Sequence, residues 1–527
     1  MPPWIASLAL VAPTAVLAVA LLSLVQPGLR PRLVLASSRV ATLVAVAVAI
    51  AATLVVLRYG ALTGPLIGVA GIGISVRLDA LSAVMFLLVS FIGVIVVRFS
   101  GNYLDGDGRQ GAFVGGLCLT LAAVTLMVLA GNLAQLILAW IATSLALHRL
   151  LVFYRERQVA TVAARKKFVT ARLGDACLVG AAVLLTYGFG TTDIAAILAQ
   201  ARALAGGAVP DGVPAAALLI ATAALLKSAQ FPAHGWLPEV IETPTPVSAL
   251  LHAGIINAGG FLVIRFADVM LLSPPSLHLL ALVGGFTALF GGVVMLTQSS
   301  VKISLAWSTI AQMGFMLLQC GLGAFSLAVL HIVAHSLYKA HAFLSSGSVV
   351  DIARAAWVAR PGARPPARHL LLGLVLAFAL YAGIGCLFGV IVQEAPAVLA
   401  LGAILILGLT LLIAQSMEGG SDIRVVARTL AAAGGATVAY FVLQHGAAWL
   451  LTPALPPIPP PGPAGLLIMA LAVTSFAAVT LLQIMAPAAA GSPAWRATRV
   501  HLANGLYANA VFDRVVGALK RRAAAPL

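Results

Sequence analysis

The sequence predicts an all-α polytopic membrane protein with about 15 transmembrane helices. Of its 527 residues, 61% are hydrophobic and only 9% are charged, and the mean hydropathy is +1.08. These values lie far outside the usage of soluble globular proteins. Apolar runs of about 20 residues, the length that spans a bilayer, also recur along the whole chain. The composition and the recurring runs together predict that the lipid bilayer is the protein's solvent.

The apolar runs follow one another in order from the N-terminus. They lie near 4–25, 33–57, 78–98, 111–131, 133–153, 168–188, 213–241, 245–266, 276–297, 303–322, 325–347, 369–391, 396–416, 425–450 and 464–486. An odd number of spans places the two termini on opposite sides. Roughly 25 Lys and Arg residues fall on the side of the C-terminus and roughly four on the other, and basic connections face the cytoplasm. The sequence therefore predicts a cytoplasmic C-terminus.

Several function classes are excluded at this point. The net charge of +16 is explained by the basic connections, and since no nucleic-acid motif is found, no nucleic-acid partner is expected. The four cysteines lie far apart inside apolar runs, without metal-ligand or disulfide spacing. Catalytic motifs such as G-x-S-x-G or a phosphate-binding loop are absent from the sequence. We therefore expect no enzyme, no cofactor and no metal on this chain.

The run at 213–241 contains a lysine at mid-depth, in the stretch IATAALLKSAQFP (220–232). Lys227 there costs roughly 2.5–3.5 kcal/mol on insertion scales. Pro232, followed by His234 and Gly235, predicts a break in the helix near 231–235. Transporters build ion sites at such breaks, where the freed backbone lines a wet cavity. Lys227 is therefore a candidate proton site with His234 in support, and the alternative is a lysine that snorkels from a helix end.

Two further spans carry histidines inside the membrane. His252 lies nearly two turns into the span that follows the break. In the run at 325–347, His331, His335 and Lys339 follow one another at i, i+4 steps and therefore share one face of the helix. Three titratable groups on one face indicate a proton or water wire. The alternative for each histidine is a satisfied packing role.

Four more charged residues are assigned supporting roles. Lys302 lies at the cytoplasmic end of the run at 303–322. Lys166, Arg172 and Asp175 lie together in sequence at the cytoplasmic start of the run at 168–188. The alternative for this group is simple charge pairing with a loop.

Two stretches make the chain recognisable as a relative of known transporters. They are KSAQFPAHGWLPEVIETPTPVSALLHAG (227–254) and HIVAHSLYKAHAFLSSGSV (331–349). Both resemble the antiporter-like, proton-conducting subunits of NADH:quinone oxidoreductase and of multisubunit cation/proton antiporters. The resemblance implies two inverted five-helix repeats with a broken helix, here 111–266 and 267–416. Residues 1–110 would then be N-terminal transmembrane helices, and 417–527 C-terminal transmembrane helices with a short cytoplasmic tail.

The chain departs from that superfamily at two positions. Where the superfamily has a glutamate directly after a tryptophan, Ile141 follows Trp140. The span at 369–391, which corresponds in the second repeat to the one with Lys227, contains no lysine. Half of the usual charge chain is therefore absent.

In these two departures the chain resembles the membrane subunit of the DAB inorganic carbon accumulation complex. Two further stretches carry the same resemblance, HAGIINAGGFLVIRFADVM (252–270) and HLANGLYANAVFDRVV (501–516). The resemblance implies a bacterial inner-membrane subunit that conducts a cation, H+, and energises CO2 hydration and bicarbonate accumulation. It also implies a large, zinc-containing, carbonic-anhydrase-like partner on the cytoplasmic face, with the zinc on that partner. The alternatives are a proton-translocating subunit of NADH:quinone oxidoreductase or of a cation/proton antiporter, and a purely structural membrane anchor.

Overall fold

The helices of the computed structural model follow the apolar runs of the sequence. The structure describes residues 2–69, 71–204, 206–347, 366–389, 395–417, 423–489 and 492–514. In chain order the helices are α1 (Trp4–Leu22), α2 (Arg32–Tyr59), α3 (Ala80–Tyr103), α4 (Gln110–Val128), α5 (Leu133–Leu151), α6 (Gln158–Phe189), α7 (Ile194–Ala203), α8 (Val213–Lys227), α9 (Trp236–Glu239), α10 (Thr245–Arg265), α11 (Ala267–Leu271), α12 (Pro274–Met295), α13 (Val301–Gly321), α14 (Phe325–Leu344), α15 (Ala367–Leu387), α16 (Pro396–Ser416), α17 (Ile423–Leu451), α18 (Pro463–Ala489) and α19 (Pro493–Ala503).

Fourteen of these helices, within the described ranges, are long and apolar enough to cross a membrane. The shorter helices are α7, α8, α9, α11 and α19. The prediction of a helical, multi-pass membrane protein is confirmed. The exact number of crossings and the boundaries of the two repeats stay predictions.

The predicted span at 213–241 is broken into α8, a non-helical stretch and the short helix α9. Helix α8 ends at Lys227, and the Ser228 amide makes its last helical bond, to the Ala224 carbonyl. Ala229 then takes a φ of +50°, in the left-handed region that ends a helix. The break therefore begins at Ser228, before the stretch 231–235 where the proline alone predicted it.

A short β structure between α2 and α3 was not predicted from the apolar runs. Its strands are β1 (Leu62–Thr63), β2 (Ile67–Val69), β3 (Ile72–Ile74) and β4 (Arg77–Leu78), with β1 antiparallel to β4 and β2 antiparallel to β3. Gly68 faces Gly73 across the β2–β3 pair. A Cβ atom at Gly68 would lie 2.1 Å from the Ile72 carbonyl oxygen, so only glycine permits this close pairing.

Helices α12 and α13 pack closely through small residues. A Cβ atom at Gly284 would lie 2.6 Å from the Gly314 carbonyl oxygen, and one at Gly321 would lie 2.4 Å from the Ala281 amide nitrogen. Small residues let transmembrane helices approach until their backbones touch. This contact fixes the position of α13, which carries part of the candidate site.

The helices differ strongly in how far the protein encloses them. In α10, 94% of the membrane-spanning stretch is buried inside the protein, compared with 17% in α17 and 11% in α18. The core therefore lies around α10, and the last helices expose most of their surface. The candidate site lies on the enclosed helices.

Candidate functional site

Lys227 is held at the break of α8 with its amine inside the protein. The residue is only 9% exposed. Its Nζ lies 4.2 Å from the centroid of the Trp140 ring on α5. Within the described part of the chain, this Nζ is buried and has no hydrogen-bond partner. A snorkelling lysine would place its amine in water, so this geometry instead favours a functional lysine.

A carboxylate lies at the N–H edge of the same indole ring. The Trp140 Nε1–H donates to Asp175 Oδ1 over 2.9 Å, and Arg172 Nη2 lies 2.7 Å from Asp175 Oδ2. The sequence lacks a carboxylate beside Trp140 on α5, where Ile141 stands. The structure brings one to the same tryptophan from α6.

The energetic cost of burying Lys227 is offset largely by this arrangement. A desolvated cation over a tryptophan ring gains about 2 kcal/mol or more, against an insertion cost of roughly 2.5–3.5 kcal/mol. Asp175 polarises the indole from its N–H edge, which makes the ring face more favourable for a cation. The amine is therefore stabilised by the ring face of Trp140.

A second buried lysine lies next to Lys227. Lys167 on α6 is 5% exposed and donates to the Ser144 carbonyl over 2.7 Å and to the Ser144 hydroxyl over 2.9 Å. Lys167 and Lys227 line one cavity of about 20 Å³ together with Leu251 and Ile255 of α10. That volume is enough for one water molecule. The cavity joins the two amines to the helix that carries His252.

His252 and Lys339 belong to one hydrogen-bonded chain across three helices. The Thr309 hydroxyl on α13 donates to the Leu305 carbonyl over 3.0 Å and lies 3.0 Å from His252 Nδ1. Because the hydroxyl has a single proton, the imidazole donates from Nδ1, which leaves Nε2 free. The same Leu305 carbonyl accepts from Lys339 Nζ over 2.9 Å. Both His252 and Lys339 are 0% exposed.

His331 and His335 continue from Lys339 along α14. Their ring centroids are 6.1 Å apart, and the His331 ring lies 5.8 Å from that of Phe315. Among the described residues, the Nε2 atom of each is buried without a hydrogen-bond partner. The structure thus buries His335 and Lys339 of the predicted stripe and leaves His331 of intermediate exposure.

His234 and Lys302 occupy positions at the edge of this group. His234 is 1% exposed, and its ring lies 5.3 Å from the rings of both Phe290 and Trp307. Lys302 Nζ donates to the Thr245 hydroxyl over 3.4 Å. Both therefore lie near the turn between α8 and α10.

Lys166 does not join Arg172 and Asp175, so the expected grouping of the three is wrong. Lys166 and Asp175 are nine residues apart, which places them on opposite faces of an α-helix. The Lys166 Nζ lies 2.7 Å from Glu239 Oε2 and also contacts Asn509 and Asp513. Lys166 therefore belongs to a second charged group, at the end of the turn after α8.

Asp79 and Arg265 are also buried and paired. Asp79 directly precedes α3, and Arg265 is the last residue of α10. They are 1% and 4% exposed, and their side chains form an ion pair. Arg77 Nε also contacts Asp79, over 2.8 Å. In the part of the chain that the structure describes, no group of three or more His, Cys, Asp or Glu side chains could hold a metal ion.

Comparison with known families finds two sequence matches. Residues 130–358 match the family described as NADH:quinone oxidoreductase/Mrp antiporter, TM. Residues 67–114 match the family described as NADH-Ubiquinone oxidoreductase (complex I), chain 5 N-terminus.

Among individual proteins, the chain is similar to two inorganic carbon transporter subunits. It is 40% identical over 455 residues to "Probable inorganic carbon transporter subunit DabB2" of Halothiobacillus neapolitanus, covering 85% of this chain and 81% of that protein. It is 48% identical over 277 residues to "Probable inorganic carbon transporter subunit DabB" of Hydrogenovibrio crunogenus, covering 52% of this chain and 53% of that protein. Among solved structures, the Mrp complex from Dietzia sp. DQ12-45-1b matches with a TM-score of 0.67 and 25% identity, covering 98% of this chain and 60% of that one.

Proposed function

The chain belongs to the DabB family of probable inorganic carbon transporter subunits, and on that premise we propose that it is the H+-conducting membrane subunit of such a transporter. The observation that carries the proposal is the amine of Lys227. It is buried at a helix break, lies 4.2 Å from the Trp140 ring centroid, and among the described residues has no hydrogen-bond partner. An ionisable group in such a place marks an ion or proton pathway.

The proposed proton path has three parts. It begins at Lys227, with Lys167 on the same cavity wall. It continues to His252 and then to Lys339, and the Leu305 carbonyl positions both, His252 through the Thr309 hydroxyl and Lys339 directly. It ends at His335 and His331 on α14. Lysine and histidine can both exchange protons at functional sites, and the cavity beside Leu251 links the first part to the second.

The proton current drives a reaction that takes place on a partner subunit. We propose a large, zinc-containing, carbonic-anhydrase-like subunit on the cytoplasmic face, which hydrates CO2, while this chain performs no catalysis. A proton moving down the membrane potential releases about 2.3 kcal/mol per 100 mV. Coupling that energy to the partner makes hydration effectively one-way, so that bicarbonate accumulates. The bacterial inner membrane and a cytoplasmic C-terminus are part of the same proposal.

The alternative role in NADH:quinone oxidoreductase or an antiporter is favoured by the family matches but opposed by two positions. Ile141 stands where those subunits have a glutamate, and α15 (Ala367–Leu387) contains no lysine. If residues 111–266 and 267–416 are the two repeats, the path takes Lys227 and His252 from the first repeat and Lys339, His335 and His331 of α14 from the second. A path that ends at α14 and does not enter α15 fits a dedicated energy-coupling subunit better.

The proposal is tested by growth of a host that lacks carbonic anhydrase and cannot grow in ambient air. The chain together with its partner should restore growth, and neither should do so alone. Growth should stop on addition of a protonophore and with Lys227→Ala. Accumulation of labelled inorganic carbon after both the proton and sodium gradients have collapsed would contradict the coupling and favour a structural anchor.

A further inference from the structure

The C-terminal strap, defined here as residues 501–513, lies across the turn that follows the broken helix. It leaves α19 and contacts the connection between α12 and α13, where Gln298 Nε2 donates to the Ala503 carbonyl over 3.1 Å. Gly505 packs on Trp307, since a Cβ atom there would lie 3.2 Å from that ring. Trp307 in turn contacts His234. The strap therefore covers the side of the broken helix on which His234 lies.

Charged and polar groups hold the inner face of the strap. Asn509 Nδ2 donates to Glu239, and the Asp513 carboxylate pairs with Lys166. The Lys166 side chain is only 3% exposed, between Glu239 and Asp513, which are 25% and 44% exposed. Asn509 and Asp513 are one helical turn apart and so face the same way. The strap thus adds a second carboxylate to a buried lysine that belongs to the body of the protein.

The surface beneath the strap is shaped to receive it. A Cβ atom at Gly235 would lie 1.9 Å from Asn509 Oδ1, so any other residue at 235 would displace the Asn509 side chain. His234, the neighbour of Gly235, is 1% exposed. The turn at 234–239 is therefore closed over by the strap.

The outer face of the strap offers a control position. Val511 is two residues from Asn509, which is a rotation of about 200° on a helix. It is 61% exposed. A substitution at Val511 therefore changes the strap without touching the groups beneath it.

We propose that the C-terminal strap closes the mouth of the broken helix, residues 234–239, to water, and that the Lys166–Asp513 ion pair keeps it closed. Release of the strap would open an aqueous route to His234 and the turn below Lys227. The closure itself stands on the contacts of the strap. Its consequence for proton flow rests on the proposed function.

The test measures the reaction of a cysteine at position 234 with a membrane-impermeant maleimide. The full-length chain carries His234→Cys, with the four native cysteines replaced by alanine. Asp513→Lys, which places a second amine against Lys166, should raise the labelling rate at least tenfold. Asn509→Leu, which removes the hydrogen bonds to both Glu239 and Lys166, should also raise it. The matched control Val511→Lys adds the same side chain to the outer face and should label at the background rate.

Equal labelling of the background chain and of both inner-face variants would overturn the closure. A rise in Val511→Lys as large as that in Asp513→Lys would also overturn it, because loosening would then not depend on the inner contacts. Thermal unfolding of each variant shows whether the helical body stays intact. Proton flux in proteoliposomes, measured on the chain that keeps His234, is a separate readout. Its absence there would refute the proposed function, while the labelling rates would still decide the closure.

Discussion

The helices around α10 and the helices from α15 to α18 differ in where they place ionisable groups. Lys167, Lys227, His252 and Lys339 are all buried in the first region. In the second, over residues 366–389, 395–417 and 423–485, the buried polar residues are Thr410, Thr437 and Gln444, and none of these is charged.

The enclosure of the helices explains this difference. In the membrane-spanning stretch of α10, 94% of the residues are buried, compared with 11% in that of α18. A charge on a lipid-facing helix costs roughly 2.5–3.5 kcal/mol without compensation, whereas an enclosed helix supplies ring faces and carbonyls. Proton conduction is therefore expected to depend on the first region and to tolerate polar changes in the second.

The largest effect is expected at Lys227. Lys227→Ala removes the amine at the helix break and should lower proton-driven carbon accumulation by about 100-fold or more, the range of a lost proton-transfer group. Lys227→Arg keeps the charge over Trp140 but cannot release a proton near neutral pH, so it should fail as well. Uptake of labelled inorganic carbon in cells measures both. Full activity of Lys227→Arg would leave the residue only an electrostatic role.

An intermediate effect is expected at Asp175. Asp175→Asn keeps an acceptor for the Trp140 N–H but removes its charge. A hydrogen bond to a charged group is worth about 1.5–3 kcal/mol and a neutral one about 1 kcal/mol. The difference corresponds to roughly a tenfold loss of proton flux.

The matched control for this change is Asp268→Asn. Asp268 is also a buried carboxylate, 4% exposed, but it pairs with Arg202 over 2.9 Å. Its substitution should lower thermal stability and leave the Lys227-dependent flux per folded molecule unchanged. An equal loss of flux in both variants would show that Asp175 acts through stability alone.

Much of this region could be predicted from the sequence, because its signals are local. The apolar runs predicted the helices, and the i, i+4 spacing of His331, His335 and Lys339 placed them on one face. Pro232 predicted a break, although the structure begins it at Ser228. Each of these inferences needed only neighbouring residues and the period of a helix.

The contacts between distant helices could not be predicted in the same way. The sequence indicates no separate role for Lys167, yet it lies buried beside Ser144. The ring of Trp140 joins Lys227 to Asp175 although the three residues lie on three helices. The nine-residue spacing of Lys166 and Asp175 is a signal that could have separated these two, because it places them on opposite faces. No spacing in the sequence indicates that Asp513 reaches Lys166.

A smaller effect is expected at Thr309, which links His252 to the Leu305 carbonyl. Thr309→Val keeps the shape but removes the hydroxyl, so His252 Nδ1 loses its partner. A hydrogen bond of about 1 kcal/mol corresponds to roughly a fivefold loss of proton flux. Flux in proteoliposomes with a pH-sensitive dye measures the change. Flux equal to that of the unmodified protein would remove Thr309 from the path.

The smallest effect is expected from the same substitution in the second region. Thr437 and Thr309 are both 0% exposed, and each hydroxyl donates to the carbonyl four residues earlier, over 2.8 Å and 3.0 Å. Only Thr309 also contacts a histidine. Thr437→Val therefore removes an intrahelical bond and nothing ionisable, and proton flux should stay within about twofold of the unmodified protein, a change of roughly 0.4 kcal/mol. A loss as large as that of Thr309→Val would mean that α17 takes part in conduction, and the difference between the two regions would then not be one of function.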